Sequence, residues 1–219
     1  MVGRATKQER AERTRAAVIR AAAEVFAENG FAGASVTKIA DRAEVTLGAI
    51  YFHFRNKEEL ARDIVAMQPE LVVPPHPSQG LQHAVDVTLT WAYQLLESPV
   101  LRAGARLVWE QEHFTSPEEN SHQQWTELIQ EDLRTAQTRR ELKAGTDVGA
   151  LAGLIVNACT GAQMHSHIET SHADLPQRVE NVWRCLLSAV AVPSAVKRIE
   201  LGRERGCPDE TALAVRPGS

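Results

Sequence analysis

Aromatic residues and cysteines are scarce in this chain of 219 residues. Phe, Trp and Tyr together make up 5% of the sequence, which disfavours β-sandwiches and barrels because those folds rely on aromatic and β-branched residues. Cys159, Cys185 and Cys207 are odd in number and widely spaced. They provide neither a disulfide framework nor a CxxC zinc pair, so we expect the protein in a reducing cytoplasm.

The sequence also lacks a membrane-spanning run and a secretory signal. Its longest apolar stretch, 148–162, is shorter than the roughly 18 residues that a span needs, and it contains Asn157 and Thr160. The N-terminus is charged and has no apolar segment typical of a signal peptide. No nucleophile elbow, P-loop or dinucleotide-binding fingerprint occurs. We therefore expect no enzyme activity, no cofactor and no membrane partner.

Charge is distributed unevenly along the chain. The formal net charge is −4, but residues 1–62 contain 11 Lys and Arg against 8 Asp and Glu, whereas residues 63–219 contain 13 against 20. A small basic head on a larger acidic body favours a nucleic-acid partner for the head, with a solvated basic tail as the alternative.

Helical periodicity runs through the whole sequence, without convincing strand alternation. The pattern predicts an all-α fold in which Gly30 ends the first helix. Dense prolines after Gln68 mark a linker. The predicted parts are an N-terminal three-helix helix-turn-helix domain at 8–67, a linker at 68–80, a helical effector and dimerisation domain at 81–205, and a disordered tail at 206–219. Predicted helices span residues 7–29, 36–43, 47–53, 56–67, 125–142, 148–168, 175–190 and 193–203, and others begin at Leu81 and Pro99.

The two short helices at 36–43 and 47–53 form a helix-turn-helix layout. Ser35 and Thr46 are placed to cap them, and Asn56 with Glu59 resembles a capping box for the following helix. The outer face of 47–53 is then free to enter a major groove. The core of the motif is predicted to consist of Ile39, Ala40, Val45, Ile50 and Phe54.

That outer face and its surroundings carry groups suited to duplex DNA. Gly48 removes side-chain bulk where the backbone approaches a phosphate. Contacts to phosphates fix the register of a protein on DNA and carry little sequence information. The alternative is that Tyr51 only packs and His53 is an ordinary surface residue. The candidate phosphate donors are Thr37, Thr46, Tyr51, His53 and Lys57.

Two stretches, FAGASVTKIA from Phe31 and VTLGAIYFHFRNKEEL from Val45, resemble the DNA-binding domain of TetR-family transcriptional repressors. The resemblance covers about residues 10–65. It implies an all-helical homodimer on operator DNA, a divergent C-terminal effector domain, and phosphate contacts at the five donors named above.

Shorter stretches resemble the γ-butyrolactone-type autoregulator receptors, which are TetR-like repressors of secondary-metabolite and antibiotic genes released by lactone or butenolide signals. These stretches are YFHF, LRAGARL from Leu101, ACTGAQ from Ala158 and AVAVPS from Ala189. Members of this subgroup commonly have lysine where this chain has Leu47. A leucine cannot donate a hydrogen bond but can contact a thymine methyl, so we expect a changed operator preference or affinity at that position.

An effector pocket needs an apolar cavity with a few polar groups. Val156, Thr160 and Gln163 share one face of the apolar helix 148–168. A buried hydroxyl or amide without a partner costs about 1–3 kcal/mol, so a ligand is one partner for Thr160 and Gln163. A hydrogen bond from Thr160 to its own helix is the alternative.

Other pocket residues follow from the resemblance. It implies that Trp125 lines the lactone pocket and that Gln68 contacts the ligand at the domain junction. Trp91, Val108 and Trp109 are expected to complete the pocket walls. Ordinary core packing is the alternative for the tryptophans and Val108.

The opposite face of helix 148–168 predicts a two-fold interface of four helices, with packing inside the chain as the alternative. His165, Glu169 and His172 share a helix face, but no further carboxylates accompany them, so we expect solvated histidines and no metal. The predicted interface residues are Leu151, Leu154, Ala158, Gly161, Ala162, Leu186, Leu187 and Val190.

These features together predict a homodimeric repressor that binds a pseudo-palindromic operator in double-stranded DNA. A small γ-butyrolactone- or butenolide-like signal releases it and so controls secondary-metabolite, including antibiotic, genes. The alternative is a TetR-like repressor that responds to a drug or antibiotic and controls efflux or biosynthesis. A plain helical interaction module is a third possibility.

Overall fold

The computed structural model describes residues 2–115 and 120–207. Within these ranges the only β-pairing is an isolated bridge between Leu142 and Ala191, so the predicted all-α class is confirmed. None of the helices in this part of the chain is long and apolar enough to cross a lipid bilayer. The helices are α1 (Val2–Gly33), α2 (Val36–Ala43), α3 (Leu47–His53), α4 (Lys57–Ala66), α5 (Gln68–Leu71), α6 (Leu81–Leu95), α7 (Pro99–Leu107), a 3-10 turn (Gln111–His113), α8 (Ser121–Thr138), α9 (Val148–Thr170), α10 (Leu175–Val190), α11 (Pro193–Val196) and α12 (Arg203–Gly206).

The chain packs as two units, and each is described by itself. The first unit comprises residues 1–68 and 98–121 and the second comprises residues 69–97 and 122–219, as far as these are described. Helix α7 packs against α1 and α4, and it buries Ala103 and Leu107 in the core of the first unit. The sequence-based division differs here, because it assigned all of 81–205 to one effector domain. The apolar face of α7 completes the core that α1 and α4 leave open.

The core of the first unit contains the predicted helix-turn-helix motif. The apolar stripe of α1 is buried, with Val18 and Phe26 completely inaccessible to solvent. Of the five predicted core residues of the motif, Val45 is partly buried and packs against this core. Fully burying a side chain of this size contributes about 1.5–3 kcal/mol, so the short helices are held by packing more than by their own propensity. The four other core residues, Ile39, Ala40, Ile50 and Phe54, are buried.

Gly30 ends the regular part of α1, as predicted. Its φ of 68° and ψ of −177° interrupt the helix. The carboxylate of Glu110 accepts hydrogen bonds from the backbone N–H groups of Phe31 and Ala32, both at 3.0 Å. A Cβ at Gly30 would overlap this carboxylate. The turn therefore requires glycine for its backbone conformation and for the space that Glu110 occupies.

In the second unit, the C-terminal residues pack onto α6. The wholly buried carboxylate of Asp86 on α6 accepts hydrogen bonds from Arg205, at 2.9 Å for Nε, and from Ser78. Gly206 is buried against Leu89 and Tyr93 of α6. The predicted disordered tail therefore begins too early at residue 206, because the Arg205 contact continues the fold to that point. Residues 208–219 of that tail lie outside the described residues.

Several predicted boundaries also move. Helix α8 begins at Ser121, whose N–H donates to Gln111 Oε1 at 3.0 Å, and it ends at Thr138. The prediction was 125–142, but Leu142 instead pairs with Ala191. The predicted helix from Pro193 to residue 203 is a single turn, α11. The predicted proline-rich linker contains the helical turn α5 at its start, and residues 116–119 lie outside the described residues.

We expect the substitution Gly30→Ala to lower the free energy of unfolding by at least about 2 kcal/mol, because alanine resists the positive φ and its methyl displaces the Glu110 carboxylate. Thermal and denaturant unfolding measure this change. Gly48→Ala is the matched control. Its new methyl would make only an ordinary van der Waals contact, 3.8 Å from Thr46 Oγ1, within a helix, and we expect stability unchanged or raised by up to about 1 kcal/mol. Equal effects of the two substitutions would contradict the role of the Gly30 turn.

Candidate nucleic-acid interface and effector site

The three predicted caps of the motif are confirmed. Ser35 Oγ accepts from the N–H of Lys38 at 3.2 Å, and Thr46 Oγ1 accepts from the N–H of Ala49 at 3.2 Å. Asn56 Oδ1 accepts from the N–H of Glu59 at 2.8 Å. The Glu59 carboxylate returns to the N–H of Arg55, one residue before the N-cap of a standard capping box. Each short helix therefore starts at a fixed residue, which sets the direction of α3.

Helix α3 presents large side chains to solvent on the face opposite its buried Ile50. Tyr51 is 55% exposed and Phe52 is 77% exposed, and Leu47 and Gly48 are also exposed. The Tyr51 hydroxyl has no hydrogen-bond partner among the described residues. Exposed aromatic residues in a row on one helix are typical of an interaction surface. Phe52, which follows Tyr51 directly, was not among the predicted DNA contacts, because phenylalanine offers no hydrogen-bond donor to a phosphate.

The remaining predicted phosphate donors differ in their exposure to solvent and in the contacts they already make within the protein. Thr37 is exposed, and Thr46 uses its oxygen as an acceptor in the cap, so its O–H can still donate. His53 is half-buried, and its ring meets Phe52 edge-on at 4.9 Å between centroids.

Lys57 already has partners inside the protein. Its ammonium donates to the carbonyls of Phe31 at 2.8 Å and Ala34 at 3.1 Å, and it lies 4.1 Å from the centroid of the Phe31 ring. Lys38 similarly donates to the carbonyl of Gly33 at 2.9 Å. An ammonium group has three N–H donors, so only one donor of Lys57 remains for a phosphate. The sequence could not show that this lysine first caps the end of α1.

Ion pairs neutralise part of the positive charge of the first unit. Arg42 pairs with Glu24 and Glu28, whose hydrogen bonds raise the pKa of the guanidinium, while Arg42 lowers the pKa of the Glu28 carboxyl. Arg15 pairs with Asp63 at 2.6 Å. The cationic side chains that make no hydrogen bond or ion pair with described residues carry the excess charge of this unit. They include Lys7, Arg10, Arg20 and Arg55.

The seven predicted effector residues are divided between the two units. Gln68 and Val108 lie in the first unit, where the Gln68 side chain is buried and occupies the space that a Cβ at Gly104 would need. The Nε2 atom of Gln68 is buried without a hydrogen-bond partner among the described residues. The other five, Trp91, Trp125, Val156, Thr160 and Gln163, lie in the second unit.

In the second unit, Gln163 is the most informative of these residues. It is 5% exposed, and its amide makes no hydrogen bond with any described residue. Thr160 is half-buried, and the alternative hydrogen bond to its own helix is absent among the described contacts. By contrast, the hydroxyl of Thr170 on the same helix donates to the carbonyl of Ser166 at 3.0 Å. The polar face of α9 therefore carries hydrogen-bonding groups that the described residues leave without partners.

Polar contacts hold the helices of the second unit in register. His83 Nδ1 on α6 lies 2.8 Å from Asp132 Oδ1 on α8, and this hydrogen bond raises the pKa of His83. His122 on α8 lies 2.8 Å from Asn157 on α9. The indole N–H of the fully buried Trp183 on α10 donates to Thr88 Oγ1 on α6 at 2.7 Å.

Part of the predicted interface face lies on the exposed surface of this chain. A groove of about 500 Å³ runs between α9 and α10, and Leu154 and its neighbours line it. Leu151 and Leu187 do not belong to this surface, because both are buried in the core of their own unit. Val190 is half-buried and is not among the groove residues. The predicted residues that line the groove are Leu154, Ala158, Gly161, Ala162 and Leu186.

The histidine face that was considered as a metal site has other contacts. Glu169 pairs with Arg178, and the His172 ring stacks on His167 at 4.8 Å between centroids. In the described part of the chain, no group of three or more histidine, cysteine or acidic side chains is arranged to hold a metal ion.

Two family comparisons cover most of the chain. Residues 18–64 match the bacterial regulatory proteins of the TetR family, and residues 78–193 match the tetracyclin repressor-like C-terminal domain. The chain belongs to the TetR family of transcriptional regulators. Members of this family bind operator DNA as dimers and respond to small molecules.

Individual relatives narrow the comparison. The A-factor receptor protein of Streptomyces griseus is 34% identical over 194 residues, which cover 89% of this chain and 70% of that protein. The crystal structure of TylP, a TetR regulator from Streptomyces fradiae, is similar at a TM-score of 0.80 and 36% identity, over 96% of this chain and 95% of that one. A crystal structure of a γ-butyrolactone receptor has a TM-score of 0.67 and 26% identity, over 86% and 93% of the two chains.

We expect the His83–Asp132 contact to make stability depend on pH. The folded-state pKa of His83 is raised, so its contribution is fully present below the unfolded pKa of about 6.5 and is lost as pH rises through the folded pKa. His83→Gln should therefore lower the melting temperature more at about pH 6 than at about pH 9. Asp132→Asn should show the same pattern. A deficit that is independent of pH in both variants would contradict this assignment.

Proposed function

We propose that this TetR-family protein is a ligand-responsive repressor that binds a pseudo-palindromic operator as a homodimer. The two α3 helices enter successive major grooves, with half-site centres about 34 Å or a multiple of that apart. Tyr51, His53 and Thr37 contact phosphates together with the O–H of Thr46 and the remaining donor of Lys57. Leu47 contacts a thymine methyl, and Gly48 allows the backbone to approach closely.

The dimer in this proposal forms through the groove between α9 and α10. Small residues such as Gly161 and Ala162 let a partner helix approach closely, and the exposed Leu154 is buried on association. The same two helices from each protomer then make a bundle of four. A repressor that recognises two half-sites needs such a fixed two-fold relation between its heads.

The effector is proposed to be a small γ-butyrolactone- or butenolide-like compound bound in the second unit through Trp91, Trp125, Val156, Thr160 and Gln163. The single observation that carries this proposal is Gln163 of the effector unit, which is 5% exposed and whose amide makes no hydrogen bond with any described residue. Such an amide is available to bond to a ligand. The similarity to the A-factor receptor and the γ-butyrolactone receptor supports a lactone as that partner.

Release follows from a population shift. The effector favours a dimer geometry in which the two heads no longer match the groove spacing. A change from nearly full to nearly empty operator occupancy requires that the effector favour this geometry by about 5 kcal/mol.

Because the chain resembles the autoregulator receptors, we propose that the regulated genes are those of secondary metabolism, including antibiotic genes. The protein is proposed to act in the cytoplasm of the producing cell. If antibiotics alone release the protein from its operator, the protein is instead a drug-responsive efflux repressor.

The DNA half of the proposal is tested by Tyr51→Phe. The Tyr51 hydroxyl is exposed and has no partner among the described residues, so the melting temperature should not change. Loss of one hydrogen bond to a phosphate in each protomer should weaken operator binding at least about tenfold, since bonds to charged groups contribute about 1.5–3 kcal/mol each. Fluorescence anisotropy on a genomic fragment selected by the purified protein measures this. Lys57→Ala is a less clean test, because it also removes two backbone caps. An unchanged affinity for Tyr51→Phe would exclude the phosphate contact.

The effector half is tested by Gln163→Leu. The substitution removes an amide that the described residues leave unpaired, so we expect unchanged stability and unchanged operator affinity without ligand. The lactone concentration needed for release should rise at least about tenfold. Trp125→Ala should likewise abolish release and leave operator binding intact. Gln137→Leu, at an exposed position on α8, is the control and should respond like the wild type. Normal release of Gln163→Leu across a panel of lactones, butenolides and antibiotics would refute the pocket.

A further inference from the structure

Glu110, which follows α7 in the chain, bonds to the turn that connects α1 to α2. Its two carboxylate oxygens accept hydrogen bonds from the backbone N–H groups of Phe31 and Ala32, each at 3.0 Å. The same carboxylate occupies the space that a Cβ at Gly30 would need, at a residue whose φ is 68°. The two hydrogen bonds therefore hold the backbone of this turn in a conformation that glycine makes accessible.

The turn sets the direction of the helix-turn-helix motif. Ser35 caps α2 directly after it, and Glu44, with a φ of 54°, begins the short connection to α3. The two short helices share one core through Ile39 and Ile50, so they move together. A rotation of the backbone at residues 30–34 therefore turns the outer face of α3 relative to α1.

Apolar packing alone restrains this rotation weakly. The short helices bury apolar side chains against α1, and the free energy of such burial depends on the area covered and has no preferred direction. Hydrogen bonds weaken steeply when donor and acceptor move out of line. The paired bonds at Glu110 therefore supply a directional restraint, which is strengthened by the charge of the carboxylate.

Contacts from α4 hold the opposite side of the same turn. Lys57 donates to the carbonyl of Phe31 at 2.8 Å, and the Phe31 ring lies 5.0 Å from the ring of Phe114 between centroids. Arg62 of α4 donates to the carbonyl of Phe114 at 2.8 Å. The turn, α4 and the segment after α7 thus form a closed ring of contacts around Phe31.

We propose that Glu110 is a positioning residue for operator binding, which holds α2 and α3 at the angle to α1 that fits a major groove. The inference rests on the operator binding in the proposed function and deepens it by naming a residue that acts without touching DNA. A carboxylate is repelled by phosphates, so Glu110 acts through the backbone of Phe31 and Ala32. Lys57 differs, because its remaining donor is itself proposed to bind a phosphate.

The test compares the affinity of each variant for two DNA fragments. One is a genomic fragment selected by the purified wild type, and the other is a scrambled fragment of the same length and composition. Without its restraint, each head adopts the fitting orientation for only part of the time, and the specific affinity falls by that fraction. A fraction of about one third in each of two heads gives a loss of about tenfold.

We expect the ratio of the two affinities to fall about tenfold in Glu110→Ala. The fall should be smaller in Glu110→Gln, because the amide oxygen still accepts one hydrogen bond. Binding to the scrambled fragment should not weaken in either variant, since non-specific binding depends on charge. A variant that is only less stable contains less active protein, and this lowers binding to both fragments equally.

Glu112→Gln is the matched control for the lost charge. The Glu112 side chain is 80% exposed, and its carboxylate lies 3.8 Å from His113, an exposed pair that contributes little. Removal of one negative charge weakens the repulsion of DNA phosphates, so both affinities should stay equal or rise slightly and their ratio should not change. The opposite sign expected for Glu110→Gln on the selected fragment separates positioning from charge.

Denaturant unfolding provides a second readout of the contact itself. Gly30→Ala should destabilise the Glu110→Ala variant less than it destabilises the wild type, because the carboxylate that its methyl displaces is gone.

The possible outcomes separate this inference from the proposed function. An unchanged affinity ratio in Glu110→Ala overturns the positioning role and leaves operator binding by α3 intact. Equal ratios in Glu110→Gln and Glu112→Gln also overturn the role, and so does an effect of Gly30→Ala that is the same with and without Glu110. A wild type that selects no fragment over scrambled DNA overturns the proposed operator binding and the positioning role together.

Discussion

The end of the first long helix is the point on which the DNA-binding unit depends. Residues 29–34 expose backbone N–H and C=O groups that no helix satisfies, and three charged side chains bind them, two of which come from distant parts of the chain. Glu110 takes the N–H groups of Phe31 and Ala32, and Lys57 and Lys38 take carbonyls of the same turn. A carboxylate thus binds the backbone N–H groups, and two ammonium groups bind the carbonyls. These contacts attach α2, α4 and the segment after α7 to the end of α1.

Local signals explain how much of this unit could be predicted from the sequence. Ser35, Thr46 and Asn56 are N-caps whose effect depends on residues three positions away, so the bounds of α2 and α3 follow from the chain itself. The contact of Glu110 with Gly30 joins residues about 80 positions apart, and the sequence around either residue does not predict it. Lysine is a common phosphate ligand, but the ammonium group of Lys57 already donates to two backbone carbonyls of the turn that ends α1.

In the effector unit, the sequence likewise does not show which apolar residues are buried in the core and which are exposed. Leu151 and Leu154 lie three positions apart on α9, and the sequence places them on one interface. Leu151 is buried in its own unit and Leu154 is exposed, because the boundary between core and surface crosses this helix between them. Periodicity identifies an apolar face but does not tell how wide the covered part is. Polar residues such as Gln163 and Thr160 stand out from the sequence because they interrupt an apolar helix.

The contact of Asp86 with Arg205 has a consequence for synthesis. The carboxylate on α6 is wholly enclosed, and its cationic partner follows 119 residues later, close to the end of the described chain. An enclosed carboxylate without its guanidinium is strongly unfavourable. While the ribosome is still producing the intervening helices, α6 cannot settle into its final packing, and its apolar faces remain open to chaperones or to wrong neighbours. Completion of the effector unit therefore depends on the translation of Arg205, long after α3 has been synthesised.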